Sequence, residues 1–125
     1  MIVVSDTSPL RALLKIQHLH LLPSRYQNIL VPHAVMKELN LFFGGGKDLS
    51  QILNSLWVEI GIIKNKNEVE LLLNDLDPGE AEAIVLAKEN NASLILIDEA
   101  SGRSKAQSFG LNVPEFLEFY LKQRR

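Results

Sequence analysis

Acidic residues stand at three places where chemistry could gather. Asp6 ends the β-branched run "VVS" and is followed at once by Thr7, Ser8 and Pro9. Asp98 closes the apolar stretch "LILI". Glu82 is embedded among Ala81, Ala83, Ile84, Val85, Leu86 and Ala87, where a carboxylate is costly unless something positive meets it. Any one of these acids alone reads as a solvated loop residue or a helix cap; two apolar strands that both end in Asp favour a shared rim. Carboxylates brought within about 4–6 Å raise one another's pKa, and such a group stays ionised only around a cation. Ligation by oxygen alone selects hard ions such as Mg²⁺ or Mn²⁺. The absence of cysteine and of a histidine pair at ligand spacing argues against zinc.

These side chains depend on the elements that carry them. "IVV" (2–4) and "SLILID" (93–98) are short continuous apolar runs of the kind buried on both faces of a parallel sheet. "NILV" (28–31), "LWVEI" (56–60) and a very short run at 111–113 are further strand candidates. Ser8 reads as a helix N-cap with Pro9 at the first helical position and Leu10, Leu13 and Leu14 as the apolar stripe. Pro32 opens a second helix with Val35 and Leu39 four apart. Other helices are expected at about 18–26, 48–55, 68–74, 78–91, 100–108 and 115–123. Alternating strands and helices predict an α/β fold with a central parallel sheet, whose binding chemistry collects beyond the carboxyl ends of the strands.

The helix from residue 78 also ranks its own acids. Asp77, Pro78, Gly79 and Glu80 fit a capping box with Asp in the cap, which gives Glu80 a structural task. Glu82 lies about 200° further round, so a regular helix cannot aim both at one site, and Glu82 becomes the functional candidate.

The whole chain bounds the answer. Its 125 residues make one domain, residues 1–125. With 46% hydrophobic and 22% charged residues it is globular rather than disordered. It shows no signal-peptide pattern and no run near the roughly 20 apolar residues that span a bilayer, so a cytoplasmic protein without a membrane partner is expected. A net charge of −2 means that a nucleic-acid partner would be held by local basic groups.

The segments "VSDTSPLRALLKI", "VPHAVMKEL", "LDPGEAEAIVLAKENNASLILIDE" and "GLNV" together resemble the PIN-domain family, in particular the branch with "DTSPL" and "GEAEAI" motifs, over about residues 2 to 113 of the chain. The resemblance implies a three-layer α/β/α sandwich and a metal-dependent ribonuclease activity like that of the toxins in toxin–antitoxin pairs. It places the acidic positions on Asp6, Glu38, Glu82 and Asp98; Glu38, beside a lysine in "MKEL", is singled out by the resemblance and not by its spacing. Asp6, Glu38 and Asp98 would hold Mg²⁺ or Mn²⁺ directly or through water, with Glu82 completing the shell or a second ion site. Ser8 or Thr7 could orient water or a phosphate, although Ser8 as a plain cap is the simpler reading. Arg11, Arg103 and Lys105, which follow the two rim strands, are the candidates for phosphate contact. RNA as substrate, a cognate antitoxin and a homodimer are further implications of the resemblance.

Two departures accompany it. The chain stops soon after "GLNV", a shortened C-terminal end, and Glu99 follows Asp98 immediately where many PIN domains place a further acid a few residues on. The rival expectation is a catalytically silent PIN-like protein that binds RNA or a protein. A glycine-rich nucleotide-binding turn is absent after the first strand, and the adjacent acids of a phosphoryl-accepting receiver are absent too.

Overall fold

The computed structural model describes residues 1–15, 26, 28–43 and 56–114. Its elements run β1 (Val3–Ser5), α1 (Thr7–Lys15), β2 (Ile29–Pro32), α2 (His33–Phe43), β3 (Val58–Gly61), α3 (Lys66–Leu72), α4 (Pro78–Glu89), β4 (Leu94–Leu96) and α5 (Ala100–Ser108). The strands form one sheet in the order β3-β2-β1-β4, and every pairing is parallel.

β1 is short, but both its edges are paired: Val3 and Val4 lie opposite Ile29 and Leu30 on one side, and Ser5 lies opposite Leu96 on the other. Both its faces are covered as well, Val3 in one core and Val4 in the other, which explains a run of apolar residues without polar alternation. Successive side chains of a strand point to opposite faces, and the two cores follow that rule. Val3, Ile29, Val31 and Leu96 pack with Leu10 and Leu13 of α1 and Val35 and Leu39 of α2. Val4, Ile95 and Ile97 pack with Val69 of α3, Ile84 and Val85 of α4 and Ala106 of α5. The result is the expected three-layer α/β/α arrangement.

The chain moves from β1 outward through β2 to β3, then returns to place β4 on the other side of β1. The gap between β1 and β4 is therefore the point where connections diverge, and the crevice beyond their carboxyl ends is where this architecture collects ligands. Asp6 still belongs to this edge, because its backbone N–H donates to the Leu96 carbonyl at 2.9 Å.

Some boundaries differ from the sequence expectation. α1 begins at Thr7, so Ser8 lies inside the first turn and Asp6 directly precedes the helix; Ser8 is not the N-cap. Pro32 ends β2 rather than opening α2, its fixed φ being compatible with either position. No strand forms at 111–113; instead Asn112 gives its carbonyl to the Ile95 N–H at 2.9 Å. The helices expected at 48–55 and 115–123, and that at 18–26 apart from Tyr26, lie outside the described residues. Among the described residues no helix is long and apolar enough to cross a membrane.

Candidate metal centre

The site is built around the start of α4. Asp77 caps this helix, its Oδ1 accepting the Glu80 N–H at 2.8 Å, while Glu80 Oε1 accepts the Asp77 N–H at 3.2 Å. The capping box is therefore present as the sequence predicts. It uses only one oxygen of each carboxyl group. Glu80 Oε2 is buried without a hydrogen-bond donor. A Cβ built on Gly102 of α5 would stand 2.7 Å from Glu80 Oε2 and 2.6 Å from Ile97, so this glycine leaves the space that the carboxylate occupies. A glycine inside a helix costs about 1 kcal/mol relative to alanine, and the close approach accounts for it.

Gly79 joins the remaining acids. Its N–H donates to Glu38 Oε1 at 3.1 Å. A Cβ at Gly79 would lie 2.9 Å from Asp6 Oδ1 and 2.9 Å from Glu38 Oε2. The Asp6 and Glu38 carboxylates thus approach each other across the bare backbone of the α4 N-terminus, whose partial positive charge favours anions. The Thr7 hydroxyl fixes Glu38 from the other side, donating to Oε2 at 2.6 Å. Both Glu38 oxygens have donors, whereas Asp6 Oδ1 has none although Asp6 is only 1% exposed.

The electrostatics follow from this crowding. Burial pushes the Asp6 carboxyl up to about 8 from an ordinary 3.8; the Thr7 backbone N–H pulls it down, and Asp77, Glu80 and Glu38 push it up further. Glu80 is likewise raised, first by burial, against the Asp77 backbone N–H, and then by Asp77, Glu99 and Glu38. The side-chain charges acting on these two groups are all carboxylates.

The donor set fits a hard divalent cation: oxygen ligands only, and two buried carboxylate oxygens with no hydrogen-bond partner. The cage is not closed, since among the described residues no three His, Asp or Glu side chains converge on one ligating point.

The expected site residues divide accordingly. Asp6 and Glu38 come together, and Asp98 follows β4, half-buried on the same edge of the sheet. Glu82 does not join Asp6 and Glu38. Its Oε1 accepts the Ala34 N–H at 3.0 Å, because its position on α4 aims it at the first turn of α2, and it is Glu80 whose charge acts on Asp6. Ser8 sits half-buried in the first turn of α1. Arg11 lies over the Phe42 ring, 4.7 Å from its centroid. Lys105 pairs with Asp75 at 3.6 Å, and Arg103 is half-buried in α5.

The sequence pattern gives Glu80 only a capping task, which hides its unpartnered second oxygen. The signals that could have found it are Gly79 and Gly102, both helical glycines whose missing side chains make room for carboxylates.

Comparison with known proteins agrees with this architecture. A sequence model of the PIN-domain family matches residues 2–118. No curated protein matches the chain. Among solved structures, the chain is similar to PAE2754 from Pyrobaculum aerophilum, with a TM-score of 0.66 and 16% identity over 98% of this chain and 99% of that one; this likeness concerns the fold.

Proposed function

The chain belongs to the PIN-domain family, whose members are generally metal-dependent nucleases and commonly bind RNA, and on that premise we propose that it is an Mg²⁺- or Mn²⁺-dependent endoribonuclease of the toxin–antitoxin kind. One observation carries the reading: Asp6 Oδ1, across Gly79 from Glu38, and Glu80 Oε2, against Gly102, are buried with no donor to satisfy them. In a protein interior such oxygens are costly, and a cation is the partner that removes the cost.

Asp6 and Glu38, which approach each other across Gly79, would hold the ion, with Glu80 and Asp98 supplying further carboxylates directly or through water. The chemistry supplied by a divalent ion held there would be activation of a water for in-line attack on a phosphodiester and stabilisation of charge on the departing oxygen. The protein's own contribution is placement. Thr7 and the Gly79 N–H hold both Glu38 oxygens in one orientation, and the capping box fixes Glu80 with one oxygen left over. Arg11, Arg103 and Lys105 are proposed to receive the phosphates of the strand, as is Ser8 at the start of α1. Glu82 acts outside this group. Exposed Leu41 and Phe42 on α2 and Leu71 on α3 offer apolar surface for the proposed homodimer or antitoxin contact.

The test is degradation of a single-stranded RNA with Mg²⁺ or Mn²⁺ and with EDTA, comparing the native chain with Asp6→Asn. Cleavage that requires the metal and disappears in the variant supports the nuclease. Cleavage that persists in EDTA or in the variant refutes the mechanism, and an inert native chain replaces it with the silent binding module.

A further inference from the structure

A second feature lies close to the acidic group, on the same carboxyl edge of the sheet. Where β2 and β3 end, a cavity of about 420 Å³ opens between the first turn of α2 and the start of α3, with His33, Gly61, Ile62, Lys66, Glu70 and Glu82 among its lining residues. This volume lies within the range of small-molecule sites. Its composition is mixed: apolar walls from Ile62, Ile63 and Val69, carboxylates from Glu82 and Glu70, an imidazole from His33 and an ammonium group from Lys66.

Glu82 is its most informative residue. One oxygen, Oε1, accepts the Ala34 N–H at 3.0 Å, and among the described residues Oε2 makes no hydrogen bond. The carboxylate is thereby held at the N-terminus of α2 with acceptor capacity to spare, since each oxygen can accept more than one bond. Lys66 is exposed and forms no ion pair among the described residues.

The cavity and the acidic group share two helices. On α2, His33 lines the cavity and Glu38 meets the acids; five residues of helix separate them by about 7.5 Å along the axis. On α4, Glu82 faces the cavity and Gly79 and Glu80 face the acids. A nucleotide strand with a phosphate at the acids can place an adjoining base in the cavity. Single-stranded RNA is read in this way, by unstacked bases recognised on their hydrogen-bonding edges.

We propose that this cavity is a base-reading subsite that accepts an unpaired guanine next to the cleaved phosphate; the assignment of the strand rests on the nuclease reading above. The edge chemistry selects the base. Guanine presents two neighbouring donors, its ring N1–H and its exocyclic amino group, and a carboxylate accepts both. Adenine and cytosine each set a lone-pair nitrogen beside the amino group, and uracil flanks its single N–H with carbonyls, so each of them directs a lone pair at Glu82. Ile62 and Ile63 cover the faces of the base, and Lys66 at the rim neutralises its phosphate.

Nucleotide binding separates this proposal from the nuclease reading. Asp6→Asn protein is titrated with GMP, AMP, CMP and UMP while the backbone amide signals of Ala34, Gly61 and Ile62 are followed by NMR. GMP is expected to move these signals at the lowest concentration. Glu82→Gln keeps an oxygen for the Ala34 N–H but replaces the second acceptor by a donor, so it should weaken GMP about tenfold or more and remove its lead over UMP. Lys66→Ala should weaken all four nucleotides alike. If the native chain cleaves RNA yet no nucleotide moves these amides, or if Glu82→Gln leaves the order of the four unchanged, the subsite is refuted and the nuclease stands. If GMP binds as described to a chain that never cleaves RNA, the subsite stands and the nuclease falls.

Discussion

Replacing Asp6 by asparagine should stabilise the cation-free protein. The carboxyl group is 1% exposed and burial has pushed it up to about 8, whereas in an unfolded chain it titrates near its ordinary 3.8. Between those two values the folded state binds a proton that the unfolded state does not, so stability must fall as the pH rises. It is full below about pH 4, declines through the neutral range, and the loss is complete once the pH passes the folded value. Each unit of difference corresponds to about 1.4 kcal/mol, so the span from the unfolded value to pH 7 amounts to roughly 4 kcal/mol. Asparagine has nearly the same shape and cannot ionise. It should recover roughly 2–4 kcal/mol at pH 7, which for a chain of this size is a rise of roughly 10 °C in Tm, and little at pH 4. The assay is thermal or urea unfolding in EDTA across pH 4–8. In parallel, Mg²⁺ or Mn²⁺ at a hundred times its Kd should stabilise the native chain by about 2.7 kcal/mol and leave Asp6→Asn unmoved. A native chain whose stability is flat from pH 4 to 8, or a variant less stable than its parent at pH 8, would refute the electrostatic argument whatever the RNA assays show.

Other perturbations separate structural from chemical contributions. Glu80→Gln retains an oxygen for the Asp77 N–H, so unfolding measurements should find it within about 1 kcal/mol of the parent or more stable, while metal-dependent RNA cleavage falls about a hundredfold. Gly79→Ala places a methyl group 2.9 Å from Asp6 Oδ1 and Glu38 Oε2; the carboxylates must separate, and cleavage should fall at least about tenfold while helix propensity itself improves. Thr7→Val removes the hydroxyl that donates to Glu38 at 2.6 Å and should cost about 1–3 kcal/mol in urea unfolding, together with a higher metal concentration for half-maximal cleavage.

The sheet was the most legible part of the sequence because its signal is local. A strand covered by helices on both faces needs apolar residues on both, and "IVV" and "LILI" state that requirement directly. Helix starts were legible where side-chain chemistry marks them, as in the Asp77–Glu80 box. They were obscured where the backbone alone decides, as at Thr7 and Pro32. Among the acids, Asp6 and Asp98 follow from strand ends, but the choice between Glu80 and Glu82 does not follow from the polarity of their neighbours. Ala81, Ala83, Ile84 and Val85 are all buried, so α4 is covered on most of its circumference and both glutamates must meet protein groups. What separates them is the surroundings: the first turn of α2 supplies an N–H to Glu82, while Glu80 receives an N–H only from its own cap residue Asp77 and otherwise feels the carboxylates of Asp77, Glu99 and Glu38. That difference lies in long-range geometry, and its trace in the sequence is negative space, the side chains missing at Gly79 and Gly102. A glycine within or at the start of a helix is unfavourable unless something needs the volume. Here what needs it is a set of charges without a counter-charge among the groups that act on Asp6 and Glu80, and this is why the same feature that lowers the stability of the empty protein points to the ion that would restore it.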